Sequence, residues 1–292
     1  MSEGLLEIFG LLVGIAIPLA SLAAGLRSKE PFWLWTHPRA LAPALLALLL
    51  VVPVLTALLV EVLSPNDVYV RAGIMVAILS IGIGPPDLLE RTHADAAPAR
   101  YAVGLEMVLL PLAIVFMPLA VLLHGAVFQH DIELPVLKVS QVVLLQALLP
   151  FFVGLAVARF LPKHVEPLSR YAERFVKASM LLVVIFALLV AWRPLLGLGV
   201  AAWLTCAVIA VVAILVGHAL GGPDHETRTL LASYSAIRFP GLALLLASVV
   251  PGGQILIPVV LAYVIASAAL VGAYRLATAR ATKSSRSRPV MH

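Results

Sequence analysis

The sequence predicts an all-α polytopic membrane protein with nine transmembrane helices, two of them broken. Three observations carry this expectation. Of 292 residues, 62% are hydrophobic and only 12% are charged, against about 25% charged in soluble domains. Apolar runs of spanning length recur along the chain, a hydrocarbon core of about 30 Å needing roughly 20 apolar residues per helical crossing. Two of those runs are interrupted by proline and glycine. Nine crossings use roughly 180 to 200 residues, so residues 1–292 are expected to form one membrane domain with no room for a soluble catalytic domain. Cys206 lies in an apolar run and, as the single cysteine, suits packing and excludes an intrachain disulfide or a cysteine metal cluster.

The elements follow in order. The first span, 5–26, opens with Glu3 and Glu7 where a cleavable signal would be basic, and is long enough to cross, so it is expected to be a true helix. The second, 40–62, follows the basic loop carrying Arg27, Lys29 and Arg39. The third, 70–95, contains Pro85 and Pro86. The fourth, 99–124, is apolar between Arg100 and His124 except for Glu106. The fifth to seventh are 138–160, 172–192 and 196–219. The eighth, 226–250, is entered through Asp224, His225 and Glu226, where Asp224 or Thr227 suits helix capping. The ninth is 254–276, and residues 277–292 read as a disordered cytoplasmic tail that ends ATKSSRSRPVMH.

Charge placement orients these spans. With nine crossings, one face holds Arg27, Lys29, Arg39, Arg91, Arg100, Arg159, Lys163, Arg170, Arg174, Lys177, Arg228, Arg275, Arg280, Lys283, Arg286 and Arg288, and the other only Arg71, Lys138 and Arg193. Cytoplasmic loops hold the Lys and Arg excess, so the N-terminus is expected outside and the C-terminus inside. The formal charge of +5 is then a topology signal rather than a nucleic-acid footprint. The expected location is a bacterial inner (cytoplasmic) membrane.

The two interruptions point to function. Consecutive prolines remove backbone donors and clash with the preceding turn, so the third span breaks at Pro85-Pro86 and the eighth at Ile237-Arg238-Phe239-Pro240-Gly241. Irregular backbone at membrane depth is tolerated only where it is buried in protein or lines a wet cavity. A pair of interrupted spans in corresponding positions of two halves marks a secondary-transporter site. The eighth span follows the third by five, and a five-helix repeat inverts because its length is odd. Ordinary proline kinks are the plain alternative.

Charged residues near these breaks are the candidate site. Arg238 requires compensation, an unpaired charge at this depth costing at least about 2.5 kcal/mol. It either forms a structural ion pair with Asp87, Glu90 or Glu106, or binds a carboxylate or sulfonate through its fork. Glu106 and Glu90 are candidates to carry a proton, against a purely structural role. Arg91 and Asp87 follow the first break, and Tyr234 offers a hydroxyl toward the second. No His/Cys cluster suits a metal, no nucleophile–base pattern suits an intramembrane enzyme, and no cofactor is expected.

The residues resemble the bile acid:sodium symporter (BASS) family, within a wider group with arsenite and auxin-type carriers. RFPGLALLLA (238–247), RSKEPFWLWTHPRA (27–40) followed by VVPVL, LLPFFVGLAVARFLP (148–162) and IGIGPP (81–86) are similar in order and spacing to family motifs. The resemblance implies an inverted-repeat transporter fold with two broken crossing helices. It implies a panel of 5–26, 138–160 and 172–192 moving against a core of 40–62, 70–95, 99–124, 196–219, 226–250 and 254–276. It also marks departures. Where the family places sodium-ligand oxygens, this chain has Glu90 and Arg91 (or Arg91 and Thr92), Tyr234, Arg238, Phe239 and Leu48. Sodium needs several hard oxygen ligands, so the expected function is secondary active transport of a small organic anion, sodium-independent or proton-coupled. Arg238 would be a tethered cation or the substrate fork. A sodium-dependent symporter with a rearranged site, or a channel or sensor of this fold, are the alternatives, leaving H+ or Na+ open as coupling ion. The expected partners are the organic anion, the lipid bilayer and, where copies associate, a second copy of the chain.

Overall fold

The computed structural model describes residues 3–27, 32–64, 66–81, 97–128, 137, 140–141, 143–249 and 253–286. Among them there is no strand. The helices are α1 (Glu3–Leu26), α2 (Pro38–Leu63), α3 (Val68–Leu79), α4 (Ala97–Phe128), α5 (Val143–Phe160), α6 (Pro162–Gly197), α7 (Val200–Leu220), α8 (His225–Ala236), α9 (Pro240–Val249) and α10 (Ile257–Arg286). Short 3-10 turns at Trp33–Thr36 and Gly253–Leu256 precede α2 and α10.

The all-helical membrane architecture expected from composition is the one observed. Among the described residues, six helical stretches are long and apolar enough to cross a bilayer: α2, Arg100–Met117 of α4, α5, α7, His225–Ala247 across α8 and α9, and Ile257–Arg280 of α10. Leu11–Leu26 of α1 and all of α3 are shorter apolar helices. Three boundaries differ most from the sequence reading, the first being that of α3, whose helix stops at Leu79, ahead of the break expected at Pro85-Pro86. Helix α6 starts at Pro162, ten residues before the expected sixth span, because proline at a first helical position is preorganised for the helix, and the exposed Arg170–Glu166 pair lies on this added stretch. Helix α10 continues to Arg286, so residues 277–286 are helical rather than part of a disordered tail. Alanine, arginine and lysine there are strong helix formers that extend the helix past its apolar stretch.

Burial separates interior from periphery. In His225–Ala247, 89% of the spanning window is buried, whereas in α5 the figure is 28%. Every residue of α3 from Val70 to Leu79 is buried, enclosed by α2, α9 and α10. At the periphery α1 packs along both α5 and α6. Gly25 and Gly154 make the α1–α5 approach close: a Cβ on Gly25 would lie 3.1 Å from the Gly154 Cα and collide with the Phe151 carbonyl. Small residues let membrane helices approach this closely. Arg27 at the end of α1 pairs with Glu173 of α6 at 3.3 Å. Helix α7 packs on α8 and α10, with Gly217 so close to α8 that a Cβ would stand 2.6 Å from the Ala232 Cα.

Candidate binding site

The eighth span folds as two half-helices because its sequence forces both ends. Asp224 caps α8, its carboxylate accepting from the Thr227 N–H at 2.9 Å, the capping role expected from sequence. Gly222 takes φ +81° in the turn before it, a left-handed backbone that favours glycine. Arg228 Nε and Nη2 donate to the Gly222 carbonyl at 3.0 and 2.8 Å, which ties the turn to the helix that follows. At the other end Pro240 has no N–H and disfavours helical backbone at Phe239. The helix stops at Ala236 and restarts at Pro240.

Backbone groups freed by this break are taken up by other helices, as an apolar environment requires. The Phe239 N–H donates to the Ser80 carbonyl at the end of α3, 2.9 Å away. The Tyr263 hydroxyl of α10 donates to the Ala236 carbonyl at 2.9 Å. The Ile237 N–H closes back on Ser233 at 2.8 Å. Ser80 is itself fully buried, its hydroxyl returned to the Val76 carbonyl at 2.6 Å. The C-terminal end of α3 therefore meets the second break directly.

Arg238 occupies the gap between α8 and α9 and is 6% exposed. Its Nη1 donates to the Leu48 carbonyl of α2 at 3.1 Å. Its Nε and Nη2 have no hydrogen-bond partner among the described residues. Two small cavities flank it, each of about 10 Å³. One is lined by Leu48, Ile81, Leu109, Tyr234, Ile237 and Phe239, and the other includes Ala77, Pro240, Ala243, Tyr263, Val264 and Ser267. A void of this size holds about one water, so the site is closed. Glu106 is fully buried on α4 and accepts from the Tyr234 hydroxyl of α8 at 2.9 Å. Phe239 packs inside the core.

The structure thus gathers Arg238, Phe239, Pro240 and Tyr234 at one break, with Glu106 bonded to its rim. Gly241 lies one residue further on, where a Cβ would stand 2.9 Å from Ile17 of α1. Pro85, Pro86, Asp87, Glu90 and Arg91 lie outside the described residues. Sequence reasoning missed Ser80, Tyr263 and the Leu48 carbonyl. Pro53, five residues beyond Leu48, was the available signal for the last. It also counted Arg71 as an outer-loop cation, whereas Arg71 is buried and pairs with Glu61. His218 has the satisfied environment expected of an interfacial histidine, its Nδ1 2.6 Å from the Tyr274 hydroxyl.

The sodium bile acid symporter family model matches residues 12–195, more than half of the chain. No curated protein matches it.

Proposed function

This chain belongs to the sodium bile acid symporter family, a family of membrane transporters, and from that premise we propose that it is a secondary active carrier of a small organic anion that works without sodium. The observation that carries the proposal is Arg238, a buried guanidinium at a helix break, held by one carbonyl. A fixed cation disfavours a second cation nearby and attracts an anion. The neighbours favour the same reading. Phe239 and Leu48 are buried side chains without oxygen, and the Tyr234 hydroxyl is directed to Glu106, which leaves few hard oxygens for sodium among the described residues.

Glu106 is the proposed proton carrier. It is fully enclosed and hydrogen-bonded to Tyr234 on the broken span, so its charge state and the position of α8 are linked. The proposed motion is of a panel formed by α1, α5 and α6 against the remaining helices. It is supported by the packing of α1 along both α5 and α6. With Arg71 set aside as buried, the cations still divide sixteen to two over nine crossings, which supports an N-terminus outside. Asp87, Glu90 and Arg91 are proposed to complete the site from the first break.

Uptake into proteoliposomes, with sodium and proton gradients imposed separately and organic acids as test solutes, decides the reading. Uptake is expected to persist when potassium replaces sodium and to follow the proton gradient. Collapse of uptake without sodium would mean that the ligands are present in another arrangement.

A further inference from the structure

We propose that Arg238 presents the Nε–Nη2 edge of its guanidinium as a two-donor seat for one carboxylate, and that Pro53 in α2 is the positioning residue that leaves this edge free. The proposal rests on the anion-carrier reading above and adds the atoms that recognise the substrate.

The geometry begins in α2. Residues Leu46–Val51 wind in π register, and the Val52 N–H closes on the Ala47 carbonyl five residues back. In that register the next donor, residue 53, would close on Leu48. Pro53 has no N–H, so the Leu48 carbonyl is left open on a residue only 1% exposed. An open buried carbonyl needs a donor, and Arg238 Nη1 supplies it at 3.1 Å. The carbonyl engages one corner of the guanidinium and, among the described residues, no carboxylate compensates its charge. Nε and Nη2, without partners among the described residues, are the side-on edge, where two parallel N–H bonds match both oxygens of a carboxylate.

The surroundings restrict what can sit there. Leu48, Ile81, Leu109 and Phe239 line the adjoining cavity, so the group attached to the carboxylate meets apolar walls. One guanidinium balances one negative charge. A second carboxylate would find no further cation among the residues described around the seat and would lie with Glu106 near the same rim, so monocarboxylates are favoured over dicarboxylates. The closed cavities take about one water each, so the seat fills only as the walls part.

The test uses purified full-length protein in potassium buffer and titration calorimetry with acetate, hexanoate and benzoate, against benzamide as the uncharged counterpart of benzoate. Wild type is expected to bind at least one of the three saturably, and benzoate at least tenfold more tightly than benzamide. Arg238→Lys keeps the charge but removes the fork, and should weaken carboxylate binding at least tenfold. Pro53→Ala returns an N–H to Leu48 and releases Arg238. It should weaken carboxylate binding several-fold and leave the melting temperature equal or higher, a combination that a merely damaged helix would not give. Absence of saturable binding by all three acids overturns the seat, as does equal affinity in wild type and Arg238→Lys or equal loss for benzoate and benzamide. Organic-anion uptake that survives Arg238→Gln removes the seat and leaves the carrier reading standing. Carboxylate binding lost in Arg238→Lys, with no uptake by wild type, keeps the seat and removes the carrier reading.

Discussion

Two arginines are buried to the same degree, Arg71 and Arg238, each 6% exposed, and α2 supplies the partner to both. Arg71 on α3 receives the Glu61 carboxylate. Arg238 receives the Leu48 carbonyl. The first cation is neutralised by a full opposite charge near the end of two packed helices, so its role is complete in the folded protein. The second is held in place, and no described residue neutralises its charge. Burial alone therefore does not separate the structural role of Arg71 from the binding role proposed for Arg238; among the described residues their partners do.

The comparison breaks or sharpens through mutation, taking the largest effect first. Glu61→Gln leaves Arg71 buried beside a neutral amide and should cost about 3 kcal/mol of stability, the lower end for breaking a buried ion pair because Glu61 is partly exposed. Unfolding in detergent measures it, and replacing both partners by methionine should recover most of the loss. A cost below about 1 kcal/mol would place this pair among exposed ion pairs and dissolve the contrast. Arg238→Met removes a charge that the described residues do not neutralise, a gain of about 2.5 kcal/mol, and orphans the Leu48 carbonyl, a cost of about 1–3 kcal/mol, so stability should stay nearly unchanged while anion uptake disappears. A strongly destabilised Arg238→Met would make both arginines structural.

Tyr234→Phe tests an intermediate case, a buried acid with a neutral partner. Losing its hydrogen bond to Glu106 should cost about 1.5 kcal/mol and shift the pH dependence of uptake. An unchanged pH profile would remove Glu106 from coupling. The smallest effect is expected where two neutral groups meet: the Ser64 and Thr205 hydroxyls bridge α2 and α7 at 3.0 Å. A double-mutant cycle with Ser64→Ala and Thr205→Val should give a coupling of about 0.6 kcal/mol.

Much of the architecture was legible because it rests on local rules. Apolar run length gave the helical membrane architecture, Pro240 gave the restart of the eighth span, and Asp224 gave its cap, each acting within a few residues of itself. The site was legible only in part. Arg238 stood out as a charge in an apolar run. Arg71 did not, because its place near a span end made it look like a loop residue. The close approach of α1 and α5 through Gly25 and Gly154 left no local trace either, since isolated glycines are common in membrane helices.

By itself, the sequence determined that this chain is a helical membrane protein, where one span must break, and that a cation sits in that break. These follow from backbone donors, proline geometry and the bilayer's demand for apolar length, which act along the chain. Only the tertiary structure decided what each buried charge meets. Ser80, Leu48 and Tyr263 come to the second break from three other helices, and Glu61 reaches Arg71 from a neighbouring one. Those meetings depend on which helix faces pack together, so the same residue type meets a carboxylate at one end of α2 and a backbone carbonyl in its middle.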